Sequence, residues 1–329
     1  MVDLSTTYLG LPLKNPFIVG SSGLTDTVVK VQDLARHGAA AVVLKSIFEE
    51  EIALEFQDIL RNEAPQGQYL EHFDYLDYQI RERNLETYTQ LIMDCKVSVA
   101  IPVIASVNCT YAAEWAFFAK QLQNAGADAL ELNMYFLPSD VTRSSEDLER
   151  AYFDVIARVT HELSIPVSLK ISPYFSSLAH LMQEVCRSGI AGLVLFNRFS
   201  SPDFDIEGLR VVTKHTFSTP AEYLLPLRWI ALMSDRVECD LVGSTGIHDG
   251  RAMIKLLLAG AQVVQVVSAL YQQGNTHIQA MLSEVEKWMQ RQGFTSLEEF
   301  RGTLSQAHSA NPGVYERVQY MRQFGGQKA

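Results

Sequence analysis

Four cysteines stand in a chain of 329 residues, at positions 95, 109, 186 and 239, and no two are separated by just two residues. That spacing excludes a zinc knuckle, an iron–sulfur ligand set and a thioredoxin-type motif. The N-terminus, MVDLSTTYLG, lacks the basic stretch and apolar core of a signal peptide. No apolar run approaches the eighteen residues that a membrane-spanning helix requires. Positive charge is also scarce: the formal net charge is −11. Nothing here would neutralise the phosphates of a nucleic acid, so the charge reads as solubility. These absences together predict a cytoplasmic protein with reduced thiols and no metal site.

Gly/Ser/Pro-rich linkers, low-complexity tracts and fixed-period repeats are missing too, which predicts one domain over residues 1–329. What is present is ordinary globular material, 47% hydrophobic and 20% charged. Short β-branched apolar runs alternate with longer amphipathic stretches. The runs are Phe17 to Val19, Ala40 to Leu44, Val103 to Val107, Ala129 to Leu132 and Val167 to Ile171, then Leu193 to Phe196, Asp240 to Val242 and Val263 to Val267. Each is short and apolar enough to be a strand buried on both faces. Between them, Ala112 to Asn124, Glu146 to Glu162, Ser177 to Arg187 and Gly250 to Ala259 have helical character. Several of these stretches stop at a glycine followed at once by a strand, at Gly38, Gly126, Gly189 and Gly260.

Eight strands alternating with helices predict a (β/α)8 TIM barrel, because eight parallel strands close on themselves. An open doubly wound sheet would want a G-x-G-x-x-G turn after the first strand, and the chain has none. Barrel active sites lie at the C-terminal ends of the strands, so polar residues there become candidates. Lys45 ends the second strand, Asn133 the fourth and Asn197 the sixth, Lys170 is near the end of the fifth, and Ser21-Ser22-Gly23 follow the first. A buried lysine needs an anionic neighbour or a ligand. The last two strands run into Gly243-Ser244-Thr245-Gly246-Ile247 and Val267-Ser268-Ala269. Loops after strands seven and eight commonly hold phosphate, and glycine lets the backbone come close to it.

Several of these stretches resemble the dihydroorotate dehydrogenase family, in order and along nearly the whole chain. They are N-P-F-I-V-G-S-S-G at 15–23, A-V-V-L-K-S at 41–46, F-D-Y-L-D-Y at 73–78, E-L-N at 131–133, P-V-S-L-K-I-S-P-Y-F at 166–175, L-V-G-S-T-G-I at 241–247 and G-A-Q-V-V-Q-V-V-S-A-L at 260–270. The similarity is to the soluble class 1 branch, since no N-terminal membrane-associating helix precedes the barrel. It implies an FMN-dependent oxidoreductase that moves hydride from a CH–CH substrate to flavin. Ser21, Ser22 and Gly23 would line the flavin edge, with Lys45 and Ser46 near the ring or ribityl chain. Asn133 would contact the ring or the substrate, Lys170 the N1–C2 region, and Asn197 the substrate. Gly243, Thr245, Gly246 and Ser268 would hold the phosphate. The resemblance also implies a homodimer, and an electron acceptor drawn from solution or from a partner protein.

The substrate side departs from the family pattern. After its ELN the family carries a catalytic cysteine or serine; here the segment reads Asn133-Met134-Tyr135-Phe136-Leu137-Pro138-Ser139. Counted without a gap, Phe136 occupies the base position; counted from the proline, Leu137 does, and neither side chain can accept a proton. The family's N-S-M-G-L-P-N loop is absent as well, with Ala64 to His72 in its place. Cys109, Tyr135 and Ser139 are the nearest groups with proton chemistry, together with Tyr111. Two other readings use the same residues: a flavin-free lyase with Lys170 or Lys45 as Schiff-base nucleophile, and a flavin-binding barrel without turnover.

Overall fold

The computed structural model describes residues 2–48, 70–108, 112–213 and 216–316, without the side chains of 70–81 and 112–114. The strands are β1 (Thr6–Tyr8), β2 (Leu11–Leu13), β3 (Phe17–Val19), β4 (Ala41–Val43), β5 (Ile47–Phe48), β6 (Val103–Asn108) and β7 (Ala129–Asn133). They continue as β8 (Val167–Ile171), β9 (Gly192–Leu195), β10 (Pro202–Asp205), β11 (Arg210–Thr213), β12 (Asp240–Ser244) and β13 (Val263–Val266). The helices are α1 (Val28–Arg36), α2 (Leu70–Ser98), α3 (Ala112–Asn124), α4 (Ser145–Glu162) and α5 (Leu178–Arg187). After them come α6 (Leu224–Met233), α7 (Gly250–Ala259), α8 (Ser268–Gln273) and α9 (His277–Gln292).

Eight strands pair in parallel in the order β3-β4-β6-β7-β8-β9-β12-β13, and β13 returns to β3, so the sheet closes as a (β/α)8 barrel. All eight predicted runs form these strands, within about two residues at either end. Their central residues are buried on both faces: alternate side chains enter the barrel and the rest pack against the helices. The four glycine stops adopt left-handed backbone, with φ between 96° and 111°. They satisfy the helix C-termini and turn the chain back into the sheet.

Inside the barrel, Ile18, Val43, Ile104, Val194, Val242 and Val263 form one apolar layer. The β1–β2 hairpin plugs it from the N-terminal end with Tyr8, Leu9 and Leu13. Each such fully buried side chain contributes roughly 1.5–3 kcal/mol. Leu9 N–H donates to Asp240 at 2.8 Å, which fixes the plug to β12. Burial raises the Asp240 carboxyl above its ordinary range. The sequence pattern gives no notice of this hairpin, because each of its strands is only three residues long. A second hairpin, β10–β11, leaves the C-terminal face after β9.

One expectation is corrected. Cys186 and Cys239 are joined by a disulfide, their Cα atoms 5.4 Å apart, so these two thiols are not reduced. They lie 53 residues apart, and only the pairing of β9 with β12 brings the end of α5 beside the start of β12. Cys95 is free and buried, and burial pushes its thiol up to about 11. Among the described residues no helix is long and apolar enough to cross a membrane.

Candidate active site

At the C-terminal end of the barrel the interior changes from apolar to polar. The side chains of Ser106, Glu131, Asn133, Ser244 and Gln265 are buried there, with Lys170 partly covered. A cavity of about 270 Å³ opens above them. Of the residues singled out in the sequence, Ser21, Asn133, Tyr135, Lys170, Asn197, Thr245, Gly246 and Ser268 line it. The barrel thus brings one strand-end lysine, two amides and both C-terminal loops to a common space.

Each of these groups is held by its neighbours. Lys170 Nζ donates to Gln265 Oε1 at 3.1 Å, leaving two further N–H donors on the ammonium. Asn133 Nδ2 donates to Ser46 Oγ at 3.3 Å, and Ser46 is bonded in turn to Ser21 and Ser106. The other end of that amide, Asn133 Oδ1, is buried with no partner. A buried unpaired acceptor costs about 1–3 kcal/mol, so it calls for a donor from a bound molecule. Asn197 Nδ2 donates to the carbonyls of Met134 and Lys170, which ties β8 and β9 together at the cavity floor.

The loop after β12 is shaped for close approach. Thr245 and Gly246 both have left-handed backbone, with φ of 77° and 76°. A Cβ on Gly246 would lie 2.1 Å from the Tyr223 nitrogen, so only glycine fits. Thr245 lacks that freedom; its hydroxyl donates to the Phe196 carbonyl at 3.2 Å and holds the strained turn. Across the cup, Ser218 N–H donates to Ser268 Oγ at 3.0 Å, which leaves the Ser268 hydroxyl hydrogen to point elsewhere. Ser218 Oγ pairs with His248 Nε2 at 3.1 Å. Burial holds the His248 imidazole below its ordinary pKa, on the neutral side.

Other predicted positions lie behind or beside the cavity. Lys45 and Ser46 line a separate groove with Asp26 and Tyr88, and Ser46 reaches the cavity only through Asn133 and Ser21. Ser22 caps the turn after β3, bonding to Leu24 and Thr25. Gly23 lies under the Tyr271 hydroxyl, which a Cβ would meet at 2.9 Å. Gly243 is inside β12, where a Cβ would strike Leu256 of α7. Cys109 and Tyr111 fall outside the described residues, as does the segment from Ala64 to Tyr69.

The departure after β7 has a structural destination. Phe136 does not line the cavity: its ring packs edge-to-face on Tyr152 at 5.8 Å, in the layer of helix α4. Tyr135 does line it, but its ring stacks on Phe199 at 4.1 Å and its hydroxyl donates to the Arg198 carbonyl at 2.9 Å. Desolvation raises the Tyr135 phenol above its ordinary value, which makes it a weaker acid at neutral pH. Ser139 is exposed in the loop beyond. The strand pattern alone left Gln265, Ser218, His248 and Arg198 unnoticed. Gln265 carried the clearest signal, a single polar residue inside the apolar run Val263 to Val267.

Comparison with known proteins agrees with this architecture. The dihydroorotate dehydrogenase family model matches residues 72–289. The chain is 27% identical to the catalytic subunit of dihydroorotate dehydrogenase B (NAD(+)) from Thermoplasma acidophilum, covering 92% of this chain and 99% of that one. It is 25% identical to the NAD-dependent dihydropyrimidine dehydrogenase subunit PreA of Escherichia coli strain K12, over 91% of this chain and 76% of that one. The chloroplastic dihydropyrimidine dehydrogenase (NADP(+)) of Arabidopsis thaliana is 26% identical, over 96% of this chain and 80% of its own length. The match spans well over half of the residues, and the chain belongs to the dihydroorotate dehydrogenase family as an oxidoreductase acting on CH–CH groups with a flavin cofactor.

Proposed function

We propose that the flavin is FMN, held in the cavity at the C-terminal end of the barrel, and that the substrate is an uncharged dihydropyrimidine-like ring. The observation that carries this reading is the convergence of Lys170, Asn133, the Thr245–Gly246 turn and Ser268 on one space. These residues fit the cofactor. The unpartnered Asn133 Oδ1 suits a ring N–H, the spare donors of Lys170 suit a ring oxygen or nitrogen that becomes electron-rich, and the glycine turn with Ser268 suits a phosphate. When bound, the flavin supplies a hydride acceptor.

The rest is the work of the chain itself. Asn197 spends both amide N–H groups on the Met134 and Lys170 carbonyls, so it and Asn133 offer their carbonyl oxygens, two acceptors that match the N–H groups of a cyclic amide. Tyr135, backed by the Phe199 ring stacked on it, gives the cavity one aromatic wall. Among the described residues Arg198 is the cavity's only other cation besides Lys170. Its guanidinium is occupied by Glu222 at 2.8 Å and the Thr216 carbonyl at 3.0 Å. A carboxylated ring such as dihydroorotate would meet that engaged arginine, whereas an uncharged ring needs no such partner. Two of the relatives are named for dihydropyrimidine, in keeping with this choice.

The test is a visible spectrum of the purified protein followed by anaerobic additions. A yellow protein whose extracted flavin is FMN, bleached faster by an uncharged dihydropyrimidine than by dihydroorotate, is the expected result. Faster bleaching by dihydroorotate would overturn the substrate assignment, and a colourless protein that takes up no added FMN would overturn the cofactor.

A further inference from the structure

Beneath the cavity, three side chains from opposite walls of the barrel meet in a line. Glu131 enters from β7 and is completely buried. Gln265 enters from β13, four strands away around the closed sheet. Its amide Nε2 donates to Glu131 Oε2 at 2.5 Å, while its Oε1 accepts from Lys170 Nζ at 3.1 Å. The amide is therefore a crossbar with its polarity fixed at both ends: the N–H faces an acid and the carbonyl faces an ammonium. Reversed, both contacts would be donor against donor or acceptor against acceptor.

The acid at the far end is only half used. Glu131 Oε1 is buried with no hydrogen-bond partner. Around it are Ser168, its register partner on β8, and Tyr8 of the hairpin plug, whose buried phenol is pushed far up by desolvation and by the charge of Glu131. A side chain kept in so costly a place, with apolar residues available for the same volume, calls for a role other than packing. The register supplies one. Asn133 and Lys170 are paired neighbours on β7 and β8, and Glu131 stands two residues below Asn133 on the same inward face. The crossbar thus lies directly under the cavity that Lys170, Gln265 and Asn133 all line.

We infer that Glu131 is a positioning residue: through Gln265 it fixes the Lys170 ammonium at the cavity floor, and its negative charge offsets that ammonium and so holds down the reduction potential of the bound flavin. The inference rests on the FMN reading above. Lys170 stabilises the electron-rich reduced ring, and a buried anion behind it weakens that stabilisation in a medium of low dielectric. Removing the anion while keeping the shape leaves Lys170 as the unopposed cation.

The experiment begins with FMN titration of the wild-type chain, then compares reduction potentials in Glu131→Gln and Gln265→Met. The isosteric Glu131→Gln retains a carbonyl for the Gln265 N–H. It binds oxidised FMN within about threefold of wild type and favours reduced over oxidised FMN by a further tenfold. For a two-electron couple that is a rise of about 30 mV. Gln265→Met cuts the crossbar at similar volume and weakens oxidised FMN binding about tenfold, because Lys170 loses its anchor. A wild-type chain that binds no FMN removes the cofactor reading and this inference with it. A wild-type chain that binds FMN, with a potential unchanged in folded Glu131→Gln, removes the inference alone. Should Glu131→Gln not fold, Gln265→Met decides: wild-type FMN affinity there overturns the crossbar.

Discussion

The two sides of the barrel mouth are built on different principles. On the side of β12 and β13, polar atoms face inward from short strands, the backbone takes left-handed turns at Thr245 and Gly246, and hydroxyls such as Ser268 have their oxygens already satisfied by protein donors. On the side of β7 the loop is aromatic: Tyr135 lies flat on Phe199, and Phe136 turns away to pack against Tyr152. In the function proposed above, the first side holds a constant partner, the cofactor, and the second faces whatever is to be oxidised. On that second side Phe136 has become part of the helix layer. On that reading, holding a cofactor and choosing a substrate are separable on this fold, because the strand ends and turns of one side set the first and the aromatic loop after β7 sets the second.

The sharpest way to break the comparison is at the glycine turn. Gly246→Ala places a Cβ 2.1 Å from the Tyr223 nitrogen in left-handed backbone, and neither atom can yield without moving the loop. FMN affinity is expected to fall at least a hundredfold, with a stability loss of about 2–4 kcal/mol. Flavin fluorescence titration and thermal melting measure the two. Near-normal FMN binding would mean that the β12 side does not hold the phosphate.

Lys170→Met ranks next. Its ammonium is the cation at the cavity floor, and removing one preorganised charged donor typically costs about 10²–10³ in rate. Anaerobic flavin reduction is expected to slow by that factor while FMN affinity falls only about tenfold. An equal loss in both would make Lys170 a binding residue. Untouched reduction would move the electrostatic work elsewhere.

Asn133 ends β7 while bonding the Ser46–Ser21 network beyond the C-terminal ends of β3 and β4. Asn133→Ala removes the orphaned Oδ1 and its match to a ring N–H. About 1–1.4 kcal/mol of binding should go with it, five- to tenfold in FMN Kd. If substrate affinity falls and FMN affinity does not, Asn133 belongs to the substrate side.

How much of this was legible in the sequence depended on distance along the chain. Strand positions were, because runs such as Val103 to Val107 are apolar on both faces and nothing but a covered strand tolerates that. Lys170 and Asn197 were, because a polar residue at a strand's C-terminal end has only the barrel mouth to face. Gln265 was not: its partners Glu131 and Lys170 are 134 and 95 residues away, and the three meet only when the sheet closes. The Cys186–Cys239 bond was hidden for the same reason. The β1–β2 plug escaped because three-residue strands carry too little periodicity to read. At Phe136 the sequence showed that the base was missing, but the direction in which the ring turns required the packing of α4.

The smallest effects expected concern that missing base, and they complete the contrast between the two sides. Among the described residues Tyr135 is the one candidate proton group named from the sequence that lines the cavity, yet its hydroxyl is committed to the Arg198 carbonyl and its phenol is raised by desolvation. Tyr135→Phe keeps the stacked wall and removes only that hydroxyl, so substrate oxidation should fall no more than two- to threefold, with the shape of its pH profile unchanged. A hundredfold loss with a missing limb in the profile would make Tyr135 the base. Phe136→Cys restores the family's residue at its position in the chain but not at its position in space. The side chain there points at Tyr152 rather than into the cavity. No gain in dihydroorotate oxidation should follow, and a gain would show that the loop after β7 can still turn that residue toward the substrate.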